Sequence, residues 1–135
     1  MKSRFEIIEH PSDTGITAFG KDYKEVYENS AYGMFSVMAE ISGIKTDETF
    51  TIKITGEDRE DLLVNWLNEL IYTQDAKHIL FKDFNITKLT DKELEAVAKG
   101  EKINKALHLM HRQIKAATFN GIELSDTKAR VVFDV

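Results

Sequence analysis

Apolar and polar positions change their spacing along the chain, and the changes mark the elements. Arg4-Phe5-Glu6-Ile7-Ile8 reads as a first strand. Residues 15–20 read as a second, with Ile16, Ala18 and Gly20 on one face and Thr17 and Phe19 on the other. The period then becomes helical: Tyr23, Val26, Tyr27, Ser30, Ala31, Met34, Phe35 and Met38 line one side. Asp22 offers an N-cap with Glu25 as its capping-box partner, and Ser42-Gly43 breaks the pattern, so this helix ends near Ala39. In residues 49–55 Phe50, Ile52 and Ile54 alternate with Thr51, Lys53 and Thr55, as in a half-buried strand. A second helix follows over about 58–77, with acids in its first turn and a buried stripe of Leu62, Leu63, Trp66, Leu67, Leu70 and Ile71.

Shorter strand-like pieces complete the chain at 81–89, 94–100, 112–124 and 130–135. Asn120-Gly121 is a hairpin signal, but a turn over Ser125-Asp126-Thr127-Lys128 leaves the last strand a longer partner; that turn is favoured, with Asn-Gly as a bulge. The order β-β-α-β-α-β-β-β-β predicts an α+β fold: two long helices packed on a largely antiparallel β-sheet. A chain of 135 residues without linker, repeat or low-complexity tract is expected to form a single domain over 1–135, with the first and last strands adjacent.

Composition narrows the function classes without choosing among them. With 42% hydrophobic and 30% charged residues, the chain has the balance of a folded globular protein. It has no cysteine, which excludes disulfides and thiolate metal sites. The N-terminus lacks the apolar core of a signal peptide, and no apolar run is long enough to span a bilayer, so a cytoplasmic location is expected. A net charge of −5 argues against a broad basic surface for RNA or DNA. Phosphate-loop, dinucleotide and nucleophile-elbow glycine motifs are all missing.

The carboxylates are the better lead. Asp13 lies in the loop "EHPSDTG", where it reads either as an Asx turn or as an oxygen ligand for a hard cation. Asp134 and the α-carboxylate of Val135 end a strand that runs to the last residue, so two carboxylates sit side by side on fixed backbone. The alternative there is an edge strand kept soluble by its acid. Lys115 reads as a solvated lysine or as a clamp for phosphate or carboxylate. His10, His78, His108 and His111 lack zinc spacing, and His10 and His108 read as structural hydrogen-bonding residues rather than general bases.

Four stretches together resemble the archease family. "HPSDTGITAFG" is similar to its opening, "GEDREDLLVNWLNELIY" to its second helix, "HLMHRQIKAATFNGIEL" to its histidine–lysine segment and "VVFDV" to its ending. The resemblance covers nearly the whole chain in the family's order. It implies no catalysis of its own but an activator of the tRNA-splicing RNA ligase, promoting guanylylation and multiple turnover in joining 3′-phosphate or 2′,3′-cyclic phosphate ends to 5′-hydroxyls. It implies a divalent cation, Ca²⁺ with Mg²⁺ and Mn²⁺ as alternatives, held by Asp13, Asp134 and Val135. It also implies activation residues at Lys115 and His108, with His10 as a further candidate. The partner is then the ligase, with tRNA met only indirectly and neither DNA nor membrane involved. Pro11 and Phe119 depart from the family's threonine and tyrosine. Rival readings are a stand-alone metal-dependent phosphoesterase or nuclease, and a general chaperone or adaptor.

Overall fold

The computed structural model describes residues 3–10 and 12–135, without the side chains of Glu9 and His10. Chain order runs β1 (Phe5–His10), β2 (Asp13–Phe19), α1 (Tyr23–Met38), β3 (Glu48–Thr55), α2 (Arg59–Lys77), β4 (Ile79–Leu89), β5 (Glu93–Lys102), β6 (Ala116–Ala117), β7 (Glu123–Leu124) and β8 (Lys128–Asp134). The strands form two antiparallel sheets. One has the order β1-β2-β8-β6 with β7 also on β8, and the other has the order β3-β5-β4.

Both helices begin where their caps dictate. The Asp22 carboxylate accepts from the Glu25 N–H at 2.9 Å and the Asp58 carboxylate from the Asp61 N–H at 2.8 Å, satisfying amides that have no partner within the helix. The return bonds of the two acids reach one residue further out, Glu25 to the Lys21 N–H and Asp61 to the Glu57 N–H. At the far end of α2, His78 takes the left-handed conformation with φ 53° and its N–H closes on the Gln74 carbonyl.

Two expectations are corrected here. First, the strands divide into two sheets rather than one. The buried residues of α1 cover about two-thirds of its circumference, including Val26, Tyr27, Asn29, Ala31, Phe35 and Val37. A helix apolar over so wide an arc needs cover on more than one side; α1 contacts β2 and β1 of one sheet and β4 of the other. α2 likewise touches β3, β4 and β5 of one sheet and β6 of the other.

Second, the first and last strands are not neighbours: β2 lies between β1 and β8. The short β1–β2 connection pairs those two as a hairpin, with Phe5 opposite Ala18, and leaves β1 at the edge. β8 then takes the free edge of β2, with Ile16 opposite Val131.

One hydrophobic cluster spans helices and sheets. At its centre Phe35 packs edge-on against Phe81 with ring centroids 5.6 Å apart, and Trp66 packs edge-on against Phe84 at 6.2 Å. The indole N–H of Trp66 donates to the Tyr27 carbonyl at 3.0 Å, so the largest buried side chain leaves no orphan donor. Fully burying each of these large side chains contributes roughly 1.5–3 kcal/mol.

The segment 112–124 is not one strand. A turn from the Phe119 carbonyl to the Ile122 N–H, with Gly121 at φ 62°, separates β6 from β7. Both pieces pair with β8, and the Ser125 N–H meets the Lys128 carbonyl at 2.8 Å. The later turn therefore makes the hairpin and Asn120-Gly121 bulges out of it.

Candidate functional site

The last pair recorded between β2 and β8 is Thr14 opposite Phe133. Asp13 and Asp134 are the next residues outward, so the register sets them against each other at one end of adjacent strands. Directly opposed residues in an antiparallel pair ordinarily have Cβ atoms about 5 Å apart. The close approach of these strands depends on Gly15: a Cβ there would lie 2.3 Å from the Val131 carbonyl oxygen. On its other edge β8 pairs with β6, Ala116 opposite Asp134, and the Lys115 N–H donates to the Asp134 carbonyl at 2.8 Å. Val135 follows and is exposed.

Strand register thus collects Asp13, Asp134, Val135 and the backbone of Lys115 at one end of the sheet, from positions up to 122 residues apart. Two side-chain carboxylates are hard oxygen donors of the kind that Ca²⁺ or Mg²⁺ takes. Among the described residues no three His, Asp or Glu side chains converge as a metal cluster.

Two supports of this edge have no signature in the sequence. The Arg112 guanidinium donates to Thr14 Oγ1 at 2.8 Å, tying the chain before Lys115 to the strand that carries Asp13. Asn68 of α2 brackets Ala117: its Oδ1 accepts from the Ala117 N–H at 2.8 Å, and its Nδ2 donates to the Ala117 carbonyl at 3.3 Å. A two-residue strand is thereby held on one side by β8 and on the other by a side chain that imitates a strand. A hollow of ≈ 430 Å³ opens beside Lys115, with Asn68, Tyr72 and Gln113 among its walls.

His108 is placed elsewhere. Its Nε2 lies 3.0 Å from the Glu101 carboxylate, and its Nδ1 accepts from the Asn104 N–H at 2.9 Å. Glu101 also accepts from the Lys45 N–H at 3.0 Å. That backbone bond and the imidazole hold the Glu101 carboxyl below the usual glutamate range. His108 therefore pins the irregular segment between β5 and β6 to the sheet. The side chain of His10 and residue Pro11 lie outside the described residues, whereas Phe119 is exposed at the bulge between β6 and β7.

Comparison with known proteins bears on the whole chain. Residues 5–135 match the model of the archease protein family. The chain is 38% identical to protein archease of Methanothermobacter thermautotrophicus, over 97% of this chain and 98% of that protein. It is 35% identical to protein archease of Methanosarcina acetivorans, over 98% and 96% respectively. The solution structure of Methanobacterium thermoautotrophicum protein 1598 superposes with a TM-score of 0.80 at 37% identity, covering 98% of this chain and 99% of that one. The crystal structure of a Thermotoga maritima archease shares the fold, with a TM-score of 0.63 at 23% identity and 96% of each chain covered.

Proposed function

This chain belongs to the archease family, and from that premise we propose that it activates the tRNA-splicing RNA ligase through a cation-bound acidic edge. In this reading Asp13, Asp134 and the Val135 carboxylate hold a divalent cation, Ca²⁺ first and Mg²⁺ or Mn²⁺ as alternatives. The cation neutralises carboxylates that would otherwise repel one another, and it offers open coordination positions to the partner. Lys115 stands just before β6, its N–H on the Asp134 carbonyl, as the cationic counterpart, fit to meet a phosphate or a carboxylate. Archease then contributes by positioning nucleotide and metal at the ligase's own reacting centre rather than by reacting itself. It meets tRNA only through the ligase, and it works in the cytoplasm. Among the described residues no helix is long and apolar enough to cross a membrane.

The observation that carries this reading is the register of β8, with Asp134 between the strand of Asp13 and the backbone of Lys115. The engagement of His108 with Glu101 and Asn104 occupies one of the two histidines, His108 and His10, that a stand-alone phosphoesterase would use to move protons. The test is guanylylation of the cognate ligase with and without this protein. Asp13→Asn, Asp134→Asn and deletion of Val135 should each lower the stimulation more than ten-fold. Full stimulation by the Asp13→Asn/Asp134→Asn double variant would refute the reading.

A further inference from the structure

The hollow beside Lys115 is a crevice with two walls. One is the stripe of α2 that carries Asn68, Tyr72 and Asp75, whose spacing of four and then three residues stacks them on one helix face. The other is the chain from Gln113 to Ala116, which enters the sheet as β6. The two hydrogen bonds of Asn68 to Ala117 fasten the walls at one end. At the other end a second hollow shares Asp75 and Gln113 but not Tyr72 or Lys115. The walls therefore run in opposite senses, with Tyr72 level with Lys115 and Asp75 level with Gln113.

The crevice has the make-up of a small-molecule site. Its ≈ 430 Å³ lies within the usual span of about 300–1,000 Å³, and its floor is apolar, with Ile71 and Ile114 only 7% and 2% exposed. Above that floor stand a tyrosine ring that is 68% exposed, a carboxylate, a primary amide and an ammonium group. Asn68 gives both of its amide atoms to Ala117. By contrast, among the described residues no hydrogen bond or ion pair holds the side chains of Asp75, Gln113 or Lys115.

These groups match a nucleotide part by part. The Tyr72 ring is a face on which a base stacks. A carboxylate only accepts hydrogen bonds, and guanine presents two donors side by side, N1–H and the N2 amino group. The Gln113 amide can donate to the adjoining O6. Adenine has no such pair of donors. Lys115 is one level nearer the sheet and supplies a point charge for phosphate. The one carboxylate of the crevice thus faces the base and not the phosphate.

We propose that the crevice between α2 and β6 binds a guanine nucleotide, its base on Tyr72, its donor edge at Asp75 and its phosphate at Lys115. The Lys115 N–H is bonded to the Asp134 carbonyl, so the phosphate comes to rest beside the acidic edge. What the bound nucleotide is used for rests on the function proposed above; the binding belongs to this protein alone.

The experiment titrates the purified protein, without ligase and in the presence of a chelator, with GMP, AMP, guanosine and inorganic phosphate. Calorimetry gives the affinities and amide chemical shifts give the place. GMP should bind saturably, about ten-fold or more tightly than AMP, with shifts concentrated at residues 68–75 and 113–117. Tyr72→Ala should weaken GMP about ten-fold or more, as for the loss of one stacked base. Asp75→Asn should bring GMP and AMP within about three-fold of each other. Lys115→Gln should weaken GMP and leave guanosine unchanged. Tyr72, Asp75 and Lys115 are exposed, so thermal unfolding should stay at the wild-type temperature.

No saturable binding of GMP at millimolar concentration would overturn the site. So would GMP affinity that Tyr72→Ala leaves unchanged, or that inorganic phosphate or AMP equals. Each of these results leaves the activator reading in place. GMP binding as expected, by a wild type that fails to stimulate guanylylation of the ligase, would keep the crevice and remove that reading instead.

Discussion

The acidic edge of β2 and β8 and the irregular segment between β5 and β6 lie on the same molecule and are built by opposite means. At the edge, position comes from ladder hydrogen bonds: Asp13 and Asp134 are where they are because Ile16 faces Val131 and Thr14 faces Phe133. In the irregular segment position comes from a few separate contacts, chiefly His108 with Glu101 and the Leu109 carbonyl with Glu40. The two meet at the Arg112–Thr14 hydrogen bond. Paired strands fix the spacing of the groups they carry, whereas a pinned loop holds its side chains through a few separate contacts. The difference implies that the edge fails all at once and the segment fails locally.

The sharpest way to break that contrast is Gly15→Ala. The added Cβ meets a backbone carbonyl rather than a side chain that could swing away, so β2 and β8 must part. A loss of about 3 kcal/mol in chemical denaturation is expected, together with a loss of cation binding. A change below 0.5 kcal/mol would show that the register tolerates the shift.

Next is the cation itself. Calcium at about 100 times its Kd should stabilise the wild type by about 2.7 kcal/mol. Asp13→Asn/Asp134→Asn should remove that gain and, without metal, be at least as stable as the wild type because repulsion is relieved. Calorimetric titration and thermal unfolding with and without chelator check both signs.

His108→Ala should act on the segment alone, costing about 1–2 kcal/mol by leaving the Asn104 N–H and Glu101 with one partner fewer. Hydrogen exchange should quicken over 104–112 and stay unchanged in β2 and β8. The same latch has a pH signature. The folded-state carboxyl of Glu101 titrates below the ordinary glutamate value, so its contribution is present at neutral pH and lost as pH falls through that depressed value. Acid unfolding of Glu101→Gln should be correspondingly less steep on that limb; an unchanged acid limb would remove Glu101 from the account.

The smallest effect is the control. Lys53→Ala breaks an exposed 3.5 Å pair with Glu95 on the outer face of β3 and β5, away from both regions. It should cost about 0.5 kcal/mol or less and leave cation and ligase binding as they are.

Local rules explain which elements the chain contains. The cap at Asp22, the helical stripes through Phe35 and Trp66 and the alternation in β3 depend on residues within a turn or two of one another. Their reading from the chain agrees with the fold. Asn120-Gly121 shows the limit of such rules: the dipeptide suits a hairpin, but pairing of both flanking pieces with β8 makes it a bulge.

Other features have no local cause. The division into two sheets follows from a helix buried over about two-thirds of its circumference, and the place of β2 between β1 and β8 follows from which strand edge remained free. Arg112 and Asn68 were silent in the sequence because their partners, Thr14 and Ala117, lie 98 and 49 residues away.

By itself the sequence determined the α+β class, both helices with the cap of the first, and four stretches whose resemblance named the family. Only the tertiary structure decided that Asp13 stands against Asp134, that Lys115 joins them by its backbone and that His108 faces Glu101 instead. Capping and periodicity are short-range properties, written in neighbouring residues. The site is a product of strand order and register, which exist only once β2, β8 and β6 have found one another.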